Sequence, residues 1–135
     1  MESLRREEVY MSYQVDIAPE ENYIHVVVTG LANYENAHDL WVKIAAACEA
    51  HQCYRVLGEQ RMINSMSTVD AFNHQKIFLE LGIGSKYRIA WVDHNPRTFE
   101  TTDFIRTVLF NRDLGSGKLF SNITQAKNWL LKDLT

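Results

Sequence analysis

Side chains that could act as acid, base or nucleophile lie where the sequence predicts the ends of strands. Glu59 closes one apolar run, Asp93 and His94 follow another, and Ser67 begins a later helical pattern. In a hydrolase site His94 would be the base, Asp93 or Glu59 would orient it, and a serine would be the nucleophile. Ser67 does not lie in a Gly-x-Ser-x-Gly motif. Asp93 and His94 are adjacent in the chain, so Asp93 cannot easily orient the imidazole. A hydrolase is therefore the alternative hypothesis.

Binding without catalysis explains the same positions. Ligands of an open parallel sheet bind beyond the carboxyl ends of its strands. We therefore predict a rim for a ligand or partner that consists of Glu59, Arg61, Asp93 and His94. Ser67 fits a helix start, because in the sequence Ser-x-x-Asp the hydroxyl accepts a hydrogen bond from a free backbone N–H.

Metal and cofactor binding have no signature in this sequence. The five histidines are scattered without ligand spacing, and a zinc site needs clustered ligands. Cys48 falls on an apolar helical stripe, so we predict that it packs in the core and that Cys53 is a second free thiol. Residues 115–118, Gly-Ser-Gly-Lys, precede a strand rather than a helix, which predicts a turn and not a phosphate loop.

Composition limits the classes of function. A chain of 135 residues, 46% hydrophobic and 23% charged, is typical of one globular domain. A net charge of −3 gives no basic surface for nucleic acid, and no apolar run approaches the ~20 residues that span a bilayer. The mixed charges of residues 1–8 do not resemble a targeting signal, so we expect a cytoplasmic protein. We predict an arm over residues 1–11, flexible or briefly helical, and a folded domain over 12–135.

Hydrophobic periodicity sets the order of the elements. The predicted strands cover residues 12–17, 23–29, 54–59, 87–93 and 118–120, and the predicted helices cover 33–51, 67–82, 95–111 and 122–131. The predicted N-caps are Asn33, Ser67, Asn95 and Asn122, with Pro96 at a first helical position. The order ββαβαβαβα predicts an α/β domain with four helices on a five-stranded, mostly parallel sheet. Three tryptophans, Trp41, Trp91 and Trp129, fall on predicted buried faces.

This order, together with the segments RIAWVDHNP (88–96) and LFSNITQAKNWL (119–130), resembles the SpoIIAA-like domain of anti-sigma-factor antagonists and STAS modules. The resemblance covers about residues 12–133 and is greatest to the uncharacterised bacterial SpoIIAA-like group. In the antagonists, an Asp-Ser-Ser-Gly loop after the third strand carries a serine that a partner kinase phosphorylates. The matching positions here are Met66, Ser67, Thr68 and Val69. Ser67 and Thr68 keep the phosphoacceptor-equivalent hydroxyls, whereas the aspartate and the glycine are replaced.

Three hypotheses follow for function. We favour a non-catalytic binding or regulatory module that acts through a protein partner or a small apolar ligand, with no cofactor. The alternatives are a cryptic hydrolase at Glu59, Ser67, Asp93 and His94, and a structural homo-oligomer such as a homodimer. Because Met66 and Val69 replace the motif's acidic and flexible residues, we predict that Ser67 is a helix cap rather than a phosphoswitch.

Overall fold

The computed structural model describes residues 12–134. Its strands are β1 (Tyr13–Pro19), β2 (Ile24–Gly30), β3 (Arg55–Met62), β4 (Arg88–Asp93) and β5 (Ser116–Phe120). Its helices are α1 (Tyr34–His51), α2 (Thr68–Phe72), α3 (His74–Leu81), α4 (Phe99–Phe110) and α5 (Ile123–Leu131), followed by a 3₁₀ turn at Lys132–Leu134. The predicted arm at residues 1–11 lies outside the described residues.

The five strands form one sheet in the order β1-β2-β3-β4-β5. β1 is antiparallel to β2, and the remaining neighbours are parallel, so the predicted α/β architecture is confirmed. Because the parallel strands are neighbours in chain order, their right-handed crossovers place the connecting helices on one face of the sheet. We call this the crossover face. α5 follows the last strand and packs on the opposite face against β3, β4 and β5.

The α5 face is thus covered unevenly. Among the described residues no other helix packs on it, so the side chains of β1 and β2 that point to this face are exposed or half-buried. Ile24, Val26 and Val28 point to the crossover face and are buried, whereas His25 and Val27 alternate with them. One face of these two strands is therefore core, and the other is open.

Two apolar cores follow from this layering. The larger lies under α1, α3 and α4 and includes Cys48, which is fully buried as predicted. The smaller lies under α5 and includes Leu57 and Leu130. Trp41 is buried, while Trp91 and Trp129 are partly buried.

Three of the predicted caps are confirmed. Asn33 accepts a hydrogen bond from the backbone N–H of Asn36, and Asn122 accepts one from Gln125. Ser67 accepts one from Asp70 at 3.1 Å.

The predicted second helix is divided at Asn73, where α2 ends and α3 begins. The prediction that Asn95 and Pro96 start the next helix is wrong, because α4 begins at Phe99. Asn95 instead accepts a hydrogen bond from the backbone N–H of Arg97, which closes a turn before the helix.

The predicted turn at residues 115–117 is also shorter than expected. Gly115 keeps a left-handed φ of 97°, but Ser116 and Gly117 pair with Arg88 and Ile89 as the start of β5. A partner strand therefore determines where β5 begins, and local sequence could not show that partner.

Candidate functional site

The clearest concave site is an apolar cavity at the carboxyl edge of the sheet, between the crossover face and helices α1 and α4. Its volume is about 100 Å³. The apolar side chains that line it include Val28, Leu40, Trp41, Trp91, Ile105 and Leu109. The loops after β2 and β3 complete the wall, which is the position where open parallel sheets bind ligands.

Trp91 forms one wall because the neighbouring strand has no side chain beneath it. Gly58 pairs with Trp91 across β3 and β4, and a Cβ at position 58 would overlap the indole ring. The indole Nε1–H donates to Gln60 Oε1 at 2.7 Å. Trp91 also packs on Trp41, with ring centroids 5.4 Å apart.

Amide side chains that line the cavity are engaged within the protein. Asn36 donates to the carbonyl of Leu31 at 3.0 Å. Asn64 accepts from the N–H of Ala32 and donates to its carbonyl, at 2.9 and 3.0 Å. These bonds hold the loop after β2 against the loop after β3, and they leave the interior of the cavity mainly apolar.

His74 is the one histidine among the residues that line this cavity. His74 is buried, and its Nδ1 donates to the carbonyl of Asp70 at 3.1 Å. Burial lowers the pKa of His74 below its ordinary value, against smaller opposing contributions from backbone hydrogen bonds at Asp70 and Ala71. The imidazole is therefore neutral.

Asp93, a predicted rim residue, is buried beside the cavity. Its carboxylate accepts from the hydroxyl of Thr98, which lies 2.7 and 2.9 Å from its two oxygens, and from the hydroxyl of Thr102 at 2.8 Å. Gln60 Nε2 and the backbone N–H of Asn95 also donate to it, at 3.2 and 2.9 Å. Asp93 thereby anchors the start of α4, whose N-cap Thr98 makes no side-chain cap bond of its own.

Glu59, Arg61 and His94, the other predicted rim residues, lie on the α5 side of the strands. Glu59 bridges two histidines: its Oε2 is 2.6 Å from His25 Nε2, and its Oε1 is 2.8 Å from His94 Nε2. Arg61 is exposed two residues further along β3. The rim therefore divides, with Asp93 on the crossover face and the other three on the α5 face.

The histidines change the ionisation of Glu59. Burial alone would raise the pKa of its carboxyl, but the hydrogen bonds from His94 and His25 outweigh burial and hold the pKa below its ordinary value. His25 was missed in the sequence because it interrupts an apolar strand. Its alternation with the buried Ile24 and Val26 was the available signal.

Ser67 and Thr68 are exposed at the start of α2. The Ser67 hydroxyl accepts from the N–H of Asp70, and Asp70 Oδ2 accepts in turn from the N–H of Tyr34 at 3.3 Å. The cap thus connects α2 to the first turn of α1. In the described part of the chain no hydrogen bond joins Ser67 to His94.

Residues 12–134 contain no group of three His, Cys, Asp or Glu side chains placed to bind a metal ion. Over the same residues, none of the helices is both long and apolar enough to cross a membrane.

Comparison with known proteins decides the fold. No family model matches the sequence, and no curated protein matches it. Among solved structures, an uncharacterised protein of the DUF3478 family from Shewanella loihica PV-4, described as having a SpoIIAA-like fold, is similar with a TM-score of 0.53. The similarity covers 88% of this chain and 93% of that one, at 15% sequence identity. The chain has a SpoIIAA-like fold.

The resemblance that the sequence carries is thus confirmed at the level of fold. In this SpoIIAA-like fold the cavity lies at the carboxyl edge of the parallel strands, under the loop that ends at Ser67. The Glu59 cluster lies on the opposite face of the same sheet.

Proposed function

We propose that this chain is a non-catalytic binding module that holds a small apolar ligand in the cavity between the sheet and helices α1 and α4. The observation that carries the proposal is the cavity itself, whose wall is mainly apolar and aromatic. A preformed apolar cavity with a few polar groups at its edge is the usual form of a small-molecule site.

The size of the cavity limits the ligand. Its volume of about 100 Å³ compares with about 150 Å³ for an engineered cavity that binds benzene. The occupant is therefore a single ring or a short alkyl group, and any longer part of the ligand must extend out through the loops.

The catalytic alternative has less support. Ser67 is engaged as a helix cap, and the Asp93 carboxylate is surrounded by four donor groups. Glu59 and His94 contact one another on the other face of the sheet. A hydrolase would need these groups to converge on one substrate atom.

The proposal is tested by calorimetric titration of the protein with toluene and with 4-methylphenol. For ligands of this size we expect dissociation constants on the order of 0.1–1 mM. Ile105→Trp fills the cavity from α4 and should weaken binding of both compounds at least tenfold. Phe104→Trp is the matched control, because Phe104 is exposed on the same helix and should bind both compounds like wild type. Lack of binding by the folded wild-type protein, or equal binding by Ile105→Trp, would overturn the proposal.

A protein partner or a second copy of the chain is the second candidate, and the open part of the α5 face favours it. Val27 lies there on β2, which no helix of the described region covers on this face, and Glu59 and Arg61 lie beside it on β3. Sedimentation velocity separates this candidate from the first. A dimer that Val27→Glu converts to monomer would support an interface between copies. A wild-type protein that stays monomeric at high concentration would exclude that interface.

A further inference from the structure

The imidazole of His74 lies near the backbone carbonyls of Asp70 and Ala71, and its well-formed hydrogen bond is made by one ring nitrogen. Nδ1 lies 3.1 Å from the carbonyl oxygen of Asp70. A carbonyl oxygen carries no hydrogen, so Nδ1 must hold the proton and donate it. The residue is 4% exposed and its ring is neutral, which leaves Nε2 as an acceptor.

Among residues 12–134, the hydrogen bond that meets the usual distance and angle limits at this ring is made by Nδ1, and none is made by Nε2. Within that range, Arg88 Nε is the one fully enclosed side-chain nitrogen or oxygen without a partner. His74 Nε2 therefore keeps some accessible surface although its residue is buried. His74 is one of the residues that line the apolar cavity.

Cationic side chains at the cavity do not favour an anionic ligand. Arg106 donates from Nε to Asp103 Oδ1 at 2.8 Å and from Nη2 to the hydroxyl of Thr107 at 3.4 Å. Lys118 lies over the ring of Phe120, 5.5 Å from its centroid. Arg106 is thus paired with a carboxylate. His74 contributes a neutral acceptor to a wall whose other uncharged polar residues include Gln60 and Thr101.

We propose that the cavity selects neutral apolar molecules that carry a hydroxyl group, phenols or short alcohols, whose O–H donates to Nε2 of His74. This inference rests on the proposed function and adds the chemical class of the ligand. A site with a buried acceptor discriminates against an analogue that lacks the donor, because the acceptor then loses water without gaining a partner.

The experiment compares 4-methylphenol with 4-methylanisole, which keeps the ring and the oxygen but has no O–H. Calorimetric titration of the wild-type protein should show the phenol binding about tenfold more tightly than the ether. His74→Leu should remove this preference by weakening phenol binding about tenfold, with little change for the ether. His74→Gln places an amide oxygen near the position of Nε2 and should restore part of the preference.

A second measurement uses the wild-type protein, so it does not require that any variant folds. Nitrogen-15 NMR of the wild-type imidazole should show a protonated Nδ1 and an unprotonated Nε2. Addition of 4-methylphenol should move the Nε2 resonance in the direction of a hydrogen-bonded acceptor, and addition of 4-methylanisole should not.

The outcomes separate the two proposals. If neither compound binds, the proposed function fails and this inference fails with it. If the wild-type protein binds the phenol and the ether equally well, only the inference fails. The same holds if His74→Leu weakens the binding of both compounds equally, or if both compounds shift the Nε2 resonance equally. Tighter binding of 4-methylbenzoate than of 4-methylphenol would also overturn it, because the site would then select an anion.

Discussion

The indole ring of Trp91 lies directly over Gly58 on the neighbouring strand, and it occupies the space that any Cβ at position 58 would need. The hydrogen bond from Trp91 Nε1 to Gln60 fixes the ring in that position. One glycine on β3 thus sets the position of a cavity wall that belongs to β4.

We predict that Gly58→Ala displaces Trp91 and lowers the free energy of unfolding by about 1–3 kcal/mol, because the new methyl group overpacks the core. Urea denaturation followed by tryptophan fluorescence measures both effects. Gly84→Ala is the matched control, since a Cβ there meets no atom within 4 Å, and it should change stability by less than about 0.5 kcal/mol. Unchanged stability and fluorescence in Gly58→Ala would contradict the predicted overlap.

Asp93→Asn should lower the free energy of unfolding by about 2–3 kcal/mol. The Asp93 carboxylate accepts hydrogen bonds from four donor groups. The side-chain NH₂ of an asparagine would face some of these donors and could not accept from them. Asp103→Asn, which alters a surface pair with Arg106, should cost at most about 1 kcal/mol. Equal losses in the two variants, measured by urea denaturation, would argue against the anchoring role of Asp93.

Ser67→Ala should lower stability by about 0.5–2 kcal/mol through loss of the cap on α2, whereas Ser67→Asp, which preserves a capping oxygen, should be close to neutral. Ser85→Ala, at an exposed turn serine, is the control. Phosphopeptide analysis of protein from its native cells tests the phosphoswitch separately. Substantial phosphate on Ser67 would show that the altered motif is still a kinase substrate.

The contacts of Glu59 with His25 and His94 should make the free energy of unfolding depend on pH in the acid range. A carboxyl whose pKa is lowered in the folded protein stabilises it above the ordinary pKa of 4.5 and loses this contribution as the pH falls through the lowered value. The free energy of unfolding of the wild type should therefore exceed that of Glu59→Gln by about 1–2 kcal/mol near neutral pH. This difference should shrink as the pH falls below 4.5. Glu20→Gln, at an exposed turn position, should show no such trend in the same denaturation series. A difference that is constant with pH would exclude the predicted linkage.

The sequence alone determined the α/β class, the order of the strands and helices, and three helix caps. These features depend on near neighbours in the chain. In β1, Tyr13, Val15 and Ile17 alternate with polar residues. The hydroxyl of Ser67 accepts from an N–H three residues away. Such patterns survive without any knowledge of tertiary contacts.

Two element boundaries were predicted wrongly because contacts made in the folded protein replace the signal that the local sequence gave. Asn95 and Pro96 read as a helix start, but Asp93 holds the threonines at the true start of α4. β5 begins earlier than its local sequence indicates because Ser116 pairs with Arg88.

The candidate site was divided by tertiary structure. Glu59 and Asp93 were predicted to share one rim, yet strand alternation sends them to opposite faces of the sheet. His25 joins Glu59 from a strand 34 residues earlier in the chain, and the residues that line the cavity come from all five strands and three helices. Residue types specify what each side chain can donate or accept, but the register between strands decides which of them meet, and that register is set by packing across the whole sheet.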